Sequence, residues 1–202
     1  MKNILRNMDY TVKNNIEKYI KENLKESRLK HTYGVAEIAA ELSELYGSSV
    51  EKAEIAALCH DMFKNISIEA ANELVKKYEL NESVYLGNLN LSHSKLAEIA
   101  ARERFGIDDR DILNAISYHT TGRFGMSTLE KIIFVADGIE YGRNYPGIDE
   151  IRKKAFENLD EACLMLLEHT RDYLVSQGVS CHEDSLKGIE YFNKLLNRRN
   201  NG

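Results

Sequence analysis

Tryptophan is absent from this chain, proline occurs once, at Pro146, and cysteine three times. Each scarcity excludes something. With one proline, and with glycines mostly at segment ends, nothing interrupts long helices, and the pattern predicts an all-α fold. Cys59, Cys163 and Cys181 are odd in number, far apart and without Cys-x-x-Cys spacing. That excludes a disulfide framework and a thiolate metal site, and it fits reduced thiols in a cytoplasmic protein. No uncharged run approaches the roughly 18 residues of a membrane span, and Met1 to Asp9 lacks the apolar core of a signal peptide. A soluble protein with no membrane partner is expected. Basic residues are scattered and the net charge is −5, which speaks against nucleic acid as a partner. An anionic ligand would need a local pocket.

What is present is helical periodicity over 202 residues, 43% of them hydrophobic, enough for one core and a single domain over residues 1–202. Asp9–Lys25 reads as an N-terminal helix with Val12, Ile16, Tyr19, Ile20 and Leu24 near one face. Arg28–Tyr46 follows, seamed by His31, Val35, Ile38, Leu42 and Leu45 and stopped at Gly47. Ser48 to Glu51 has the pattern of a capping box and opens a third helix, and Ser127 to Glu130 opens a later one in the same way. Between them lie helices over Ser67–Tyr78, Ser92–Phe105 and Asp108–Tyr118, with a polar connection at Asn81–Asn90. Ile148–Asn158, Glu161–Gln177 and Asp184–Asn197 complete the set, and the basic tail from Asn197 is expected to fray.

The chemistry lies in polar groups on apolar faces. In the third helix Ala53, Ala56, Ala57 and His60 fall at i, i+3, i+4 and i+7, so an imidazole points with small apolar side chains toward the core. Asp61 follows, and a carboxylate so close to an apolar interior needs a cation or several hydrogen bonds. His119 repeats the pattern after Ile112, Ala115 and Ile116. Six such groups accumulate at or near helix ends: His31, His60, Asp61, His93, His119 and Asp137. One buried histidine is ordinarily a core residue bonded to a backbone carbonyl; six together read as a metal site. Imidazole and carboxylate donors suit iron, manganese, zinc or cobalt. His169 shares a face with Ala162, Met165, Leu166 and Tyr173, joins no cluster, and is expected to be structural.

The order His31, His60-Asp61, Asp137 resembles the HD superfamily of metal-dependent phosphohydrolases, whose namesake is the His-Asp doublet. His93 and His119 resemble its dinuclear branch. Within that branch, four strings are similar to the bacterial symmetrical diadenosine tetraphosphate hydrolases of the YqeK type. They are Arg28-Leu-Lys-His-Thr-Tyr-Gly-Val35, Ala56-Ala-Leu-Cys-His-Asp-Met-Phe-Lys64, Ile116-Ser-Tyr-His-Thr-Thr-Gly-Arg123 and Val135-Ala-Asp-Gly-Ile-Glu-Tyr-Gly-Arg143, the last followed by Tyr145-Pro-Gly147. Cys59 stands where an aliphatic residue is usual, and Tyr141 where proline is usual. The resemblance implies an HD-domain helical fold, with the N-terminal helix at about 9–25 and the C-terminal helices at about 148–197 packed on the core. It implies two transition-metal ions, iron first and manganese, cobalt or zinc as alternatives. His31, His60, Asp61 and Asp137 would hold one and His93, His119 and a bridging Asp61 the other. Asp61 and Lys64 are then the catalytic candidates. The implied activity is cleavage of a small nucleotide, diadenosine tetraphosphate, to two ADP; the alternatives are another HD phosphohydrolase acting on a nucleotide or cyclic dinucleotide, or a non-catalytic metal- or nucleotide-binding regulatory protein, and there is room for a homodimer. Candidates for phosphate binding are Arg28, Lys64, Arg123 and Arg143, the cations nearest the ligand positions in sequence, with Thr120, Thr121 and Gly122 as hydroxyl and N–H donors.

Overall fold

The computed structural model describes residues 2–200, and the side chains of residues 11–199; Met1, Asn201 and Gly202 lie outside the described residues. All regular structure among them is α-helical: α1 (Lys2–Asn23), α2 (Glu26–Tyr46), α3 (Val50–His60), α4 (Ile68–Lys77), α5 (Glu82–Tyr85), α6 (Leu89–Phe105), α7 (Arg110–Tyr118), α8 (Thr128–Ile139), α9 (Ile148–Glu157), α10 (Leu159–Ser176) and α11 (Glu183–Asn200). The expected polar connection at 81–90 instead holds the single turn of α5 and the start of α6.

Short polar side chains set where these helices begin. Ser67, Asn81, Asn88, Asp109 and Asn158 each accept a backbone N–H in the first turn, and such caps contribute about 1 kcal/mol apiece. Ser127 and Glu130 form the expected capping box, both halves present. The box expected at Ser48 does not form. Ser49, one residue later, caps α3 by accepting from Lys52 N–H, so Glu51 is out of register to reciprocate.

The centre of the molecule is α3, which is buried almost all round: Ala53, Ala56, Ala57, Cys59 and His60 have no exposed surface. A helix of that kind must be enclosed by others. Its alanines let α2, α7, α6 and α8 come close. Burial pushes the Cys59 thiol pKa well above its usual value, so this cysteine behaves as a small apolar residue. α8 is nearly as deep, with Leu129, Ile132, Ile133, Phe134, Val135, Ala136 and Ile139 buried. Leu45, expected in the seam of α2, is half exposed, and it is Ser43 and Tyr46 of that helix's last turn that face inward.

The C-terminal helices are tied to this centre. Lys131 of α8 sits 2.6 Å from Asp160 of α10, and Arg199 of α11 closes on the same carboxylate at 2.7 Å. The tail expected to fray is therefore helical to Asn200 and anchored by Arg199. The three cysteines are free, and no described helix is long and apolar enough to cross a membrane.

α10 lies so close to α8 at Gly138 that a Cβ there would overlap the Leu166 side chain. Gly138→Ala is expected to cost about 1–3 kcal/mol, the usual cost of overpacking a filled core. Urea unfolding measures it; an unchanged midpoint would mean that α10 is free to shift.

Candidate metal centre

Five helix segments deliver the six polar groups to one point. His31 comes from the first turns of α2, His60 ends α3 with Asp61 as its C-cap, His93 lies in the first turns of α6, His119 caps α7, and Asp137 is near the end of α8. All but His31 and Asp137 are buried, and those two are largely so.

The orientation of each imidazole is set from behind. His60 Nδ1–H donates to Ala57 O at 2.6 Å, His93 Nδ1–H to Leu89 O at 2.9 Å, and His119 Nδ1–H to Ile116 O at 2.8 Å. A carbonyl only accepts, so Nδ1 carries the proton and the Nε2 lone pair points inward in all three. His31 does the same through a carboxylate, its Nδ1 lying 3.1 Å from Glu140 Oε1. The lone pairs then converge: His31 and His60 Nε2 are 3.4 Å apart, and His93 and His119 Nε2 are 3.1 Å apart.

Asp61 lies between the two pairs. Its Oδ2 is 3.7 Å from His31 Nε2 and 3.5 Å from His60 Nε2, while its Oδ1 is 3.1 Å from His93 Nε2 and 3.8 Å from His119 Nε2. Asp137 Oδ1 completes the first half, 3.0 Å from His31 Nε2. Two overlapping groups have ligand atoms mutually within 4.8 Å, His31, His60 and Asp137 and then His60, Asp61 and His119. Lone pairs of one sign packed together in a dry interior repel, and a cation relieves that repulsion. The donor set therefore fits divalent metal, with nitrogen and oxygen ligands alone.

The electrostatics agree. Burial works to raise the Asp61 carboxyl, but positive charge placed on the His60 and His93 imidazoles overcomes it and holds it well below the usual carboxylate range, a compensation that a cation would supply when those imidazoles present bare Nε2 lone pairs. Burial likewise opposes ionisation of Asp137, and His31 and Arg143 overcome it. His119 is pushed down to about 3 by burial and by its two histidine neighbours, which keeps it a neutral donor.

Among the candidates for phosphate binding, the structure divides the cations. Arg28 Nη1 is 2.7 Å from Asp61 Oδ2 and Arg143 Nη2 is 2.5 Å from Asp137 Oδ1. Lys64 borders the same cavity, of about 440 Å³, and burial lowers its ammonium pKa against the pull of Asp61 and Asp137. Thr120 stands at the metal centre, its hydroxyl 3.2 Å from His119 Nε2 and 3.4 Å from His93 Nε2. Arg123 does not line this cavity. It forms a two-point ion pair with buried Glu130, at 2.6 and 2.9 Å, and helps brace the α8 capping box. Thr121 and Gly122 also turn inward: the Thr121 hydroxyl donates to Gly122 O, and Gly122 packs against Leu167 and Met126. Sequence proximity to His119 brought these three together on paper; the turn after α7 separates them from Thr120.

His169 joins neither of the ligand groups, as expected, yet it does not lie away from the site. It borders the cavity with Tyr173 and stacks on Tyr145, centroids 4.5 Å apart. Tyr173 shares its helix face, but the stacking partner Tyr145 comes from the loop after α8, so helical periodicity within α10 carries no trace of it.

Residues 28–142, more than half of the chain, match the HD domain family. The chain belongs to the HD family. It is similar to proteins named symmetrical bis(5'-nucleosyl)-tetraphosphatase. That of Halalkalibacterium halodurans is 37% identical over 88% of this chain and 93% of its own, and that of Bacillus subtilis is 37% identical over 82% and 89%. The one from Staphylococcus aureus is 34% identical over 89% and 95%. A crystal structure described as a predicted HD superfamily hydrolase involved in NAD metabolism, from Clostridium acetobutylicum, superposes with a TM-score of 0.82 at 39% identity, covering 90% of this chain and 96% of that one. The HD assignment agrees with the all-α fold and makes this a divalent-metal-binding hydrolase.

Glu140 is the residue of this HD centre that sequence reasoning left without a firm role. Its carboxylate is buried, faces His31, accepts Gly142 N–H at 2.6 Å, and occupies space that a Cβ at Gly34 or Gly142 would invade, at 2.8 and 3.0 Å. A carboxylate behind a ligating histidine fixes its tautomer and raises its basicity, and losing it typically costs 10- to 100-fold in metal affinity. Glu140→Ala is expected to weaken Mn²⁺ binding by about that factor in calorimetry, with Glu140→Gln less affected. Unchanged affinity in the alanine variant would show that His31 needs no partner.

Proposed function

We propose that this HD protein cleaves diadenosine tetraphosphate through its centre into two ADP. His31, His60, Asp61 and Asp137 hold one metal, and Asp61, His93 and His119 hold the second. Iron is the metal the reading puts first, with manganese, cobalt or zinc as alternatives that the same donors accept. The observation that carries it is Asp61, whose two oxygens face two different histidine pairs, the disposition of a carboxylate shared between two cations. The substrate follows from relatives at 34–37% identity that bear the name of this activity over nearly their whole length. When bound, two such metals supply Lewis acidity to a phosphoryl group and lower the pKa of water at neutral pH.

The chain's own side chains do the remaining work. Arg28 and Arg143 are partly exposed at the mouth of the site, where each presents a planar donor array to phosphate oxygens. Lys64, desolvated beside them, is a point charge for a phosphate next to the scissile bond. The Thr120 hydroxyl is placed to donate to a bound phosphoryl oxygen. Water gives its oxygen to the second phosphorus from one adenosine, the bond to the bridging oxygen breaks, and that oxygen leaves with the other ADP and a proton.

Purified protein is expected to carry close to two transition-metal ions per chain by elemental analysis. Asp61→Ala should lose both, and His93→Ala should lose one preferentially. Full metal content in Asp61→Ala would remove the shared-carboxylate assignment. With diadenosine tetraphosphate in ¹⁸O-water, the expected product is ADP alone, labelled in one of each pair; AMP with ATP would reject central cleavage while leaving the metal centre standing.

A further inference from the structure

Two clefts meet at the guanidinium groups of Arg28 and Arg143, which line both. The first, about 440 Å³, contains Asp61 and Asp137 and runs to α10. There Tyr145 and His169 stack at an interplanar angle of 29°, and Tyr173 stands 60% exposed beside them. Tyr145 is held in place by its hydroxyl, which donates to Gly138 O at 2.9 Å. The second cleft, about 650 Å³, lies between the start of α2 and the loop after α8. It has aromatic walls of its own, Tyr33 at 37% and Tyr141 at 61% exposure.

A substrate with two nucleosides and four phosphates, cut in the middle, has the same demands on each side of the cut. Phosphates need cations near the reacting centre, and each base needs a flat apolar surface at the end of its half. The arrangement supplies both twice, with the arginines at the junction and a pair of tyrosines in each cleft. Exposed phenol rings are natural stacking surfaces for bases, because every base has a π-face. We propose that the two nucleosides of the substrate occupy separate clefts that share Arg28 and Arg143, one base on the Tyr145, His169 and Tyr173 surface and the other on Tyr33 and Tyr141. This rests on the reading above that the substrate is a symmetrical dinucleoside tetraphosphate, and it assigns the second base site to Tyr33 and Tyr141.

The test compares the metal-loaded full chain with a Tyr33→Ala, Tyr141→Ala double variant. Two substrates are used, diadenosine tetraphosphate and adenosine 5'-tetraphosphate, which has one base and can place it in the first cleft. The double variant is expected to raise KM for the dinucleoside about ten-fold more than KM for the mononucleoside, the loss of one base stack. Metal content and kcat should stay at the unsubstituted level, and Tyr33→Phe with Tyr141→Phe should restore KM, since the rings remain. Equal changes for the two substrates, or none, would overturn the second base site while leaving symmetrical cleavage intact. Failure of the unsubstituted protein to cleave the dinucleoside at all would overturn the proposed function, and this assignment with it.

Discussion

Convergence of lone pairs is the constraint on which the rest of this structure depends. Four imidazole nitrogens and two carboxylates point at one small volume, and in an apolar interior that demands compensating positive charge. Three of the imidazoles are oriented by carbonyls of their own helices, so position at the end or in the first turns of a helix suffices to aim them. His31 Nδ1 instead faces the Glu140 carboxylate across the gap, at 3.1 Å. Its partner is therefore imported from the C-cap of α8, and Glu140 fits only because Gly34 and Gly142 lack side chains.

The same constraint accounts for the small side chains around the centre. A polar cluster inside a helical protein must be walled off from solvent on most sides, and α3 achieves this by packing alanines against its neighbours. Arg28 and Arg143 are then the charges that offset Asp61 and Asp137 from the open side. Removing either arginine would leave a carboxylate under-compensated, so these two cavity-lining residues also support the fold. Lys64 differs: its charge is poorly solvated and, among the described residues, met by the Asn90 amide oxygen at 3.5 Å and by no carboxylate at hydrogen-bond distance.

The all-α class and the longer helices were legible because the 3.6-residue period and the scarcity of proline speak directly to local structure, whereas the single turn of α5 left no periodic signal. The six donors were legible for the same reason, since polar groups interrupt otherwise apolar faces at fixed offsets. Register at helix starts was less so: two adjacent serines offered two caps, and the chain uses Ser49. Arg123 and His169 show where one dimension runs out. Arg123 lies four residues from a ligand but turns toward Glu130, whereas His169 lies far from every ligand in sequence and borders the cavity because α10 folds back at Gly138. Both outcomes depend on contacts between segments whose sequence separation carries no periodic signal.

Tyr141 shows how such contacts decouple a surface from a centre. It stands directly after Glu140, where the resemblance implies a proline, and a change there is expected to disturb His31. The loop, however, is held by other means. Arg152 of α9 donates to the carbonyls of Ile139, Glu140 and Arg143, each at 2.9 Å, and the Glu140 carboxylate takes the Gly142 N–H. These bonds set the loop path on both sides of residue 141 and involve neither its side chain nor its ring. The support of His31 is therefore set independently of the side chain at 141, whose phenol stands exposed on the wall of the neighbouring cleft.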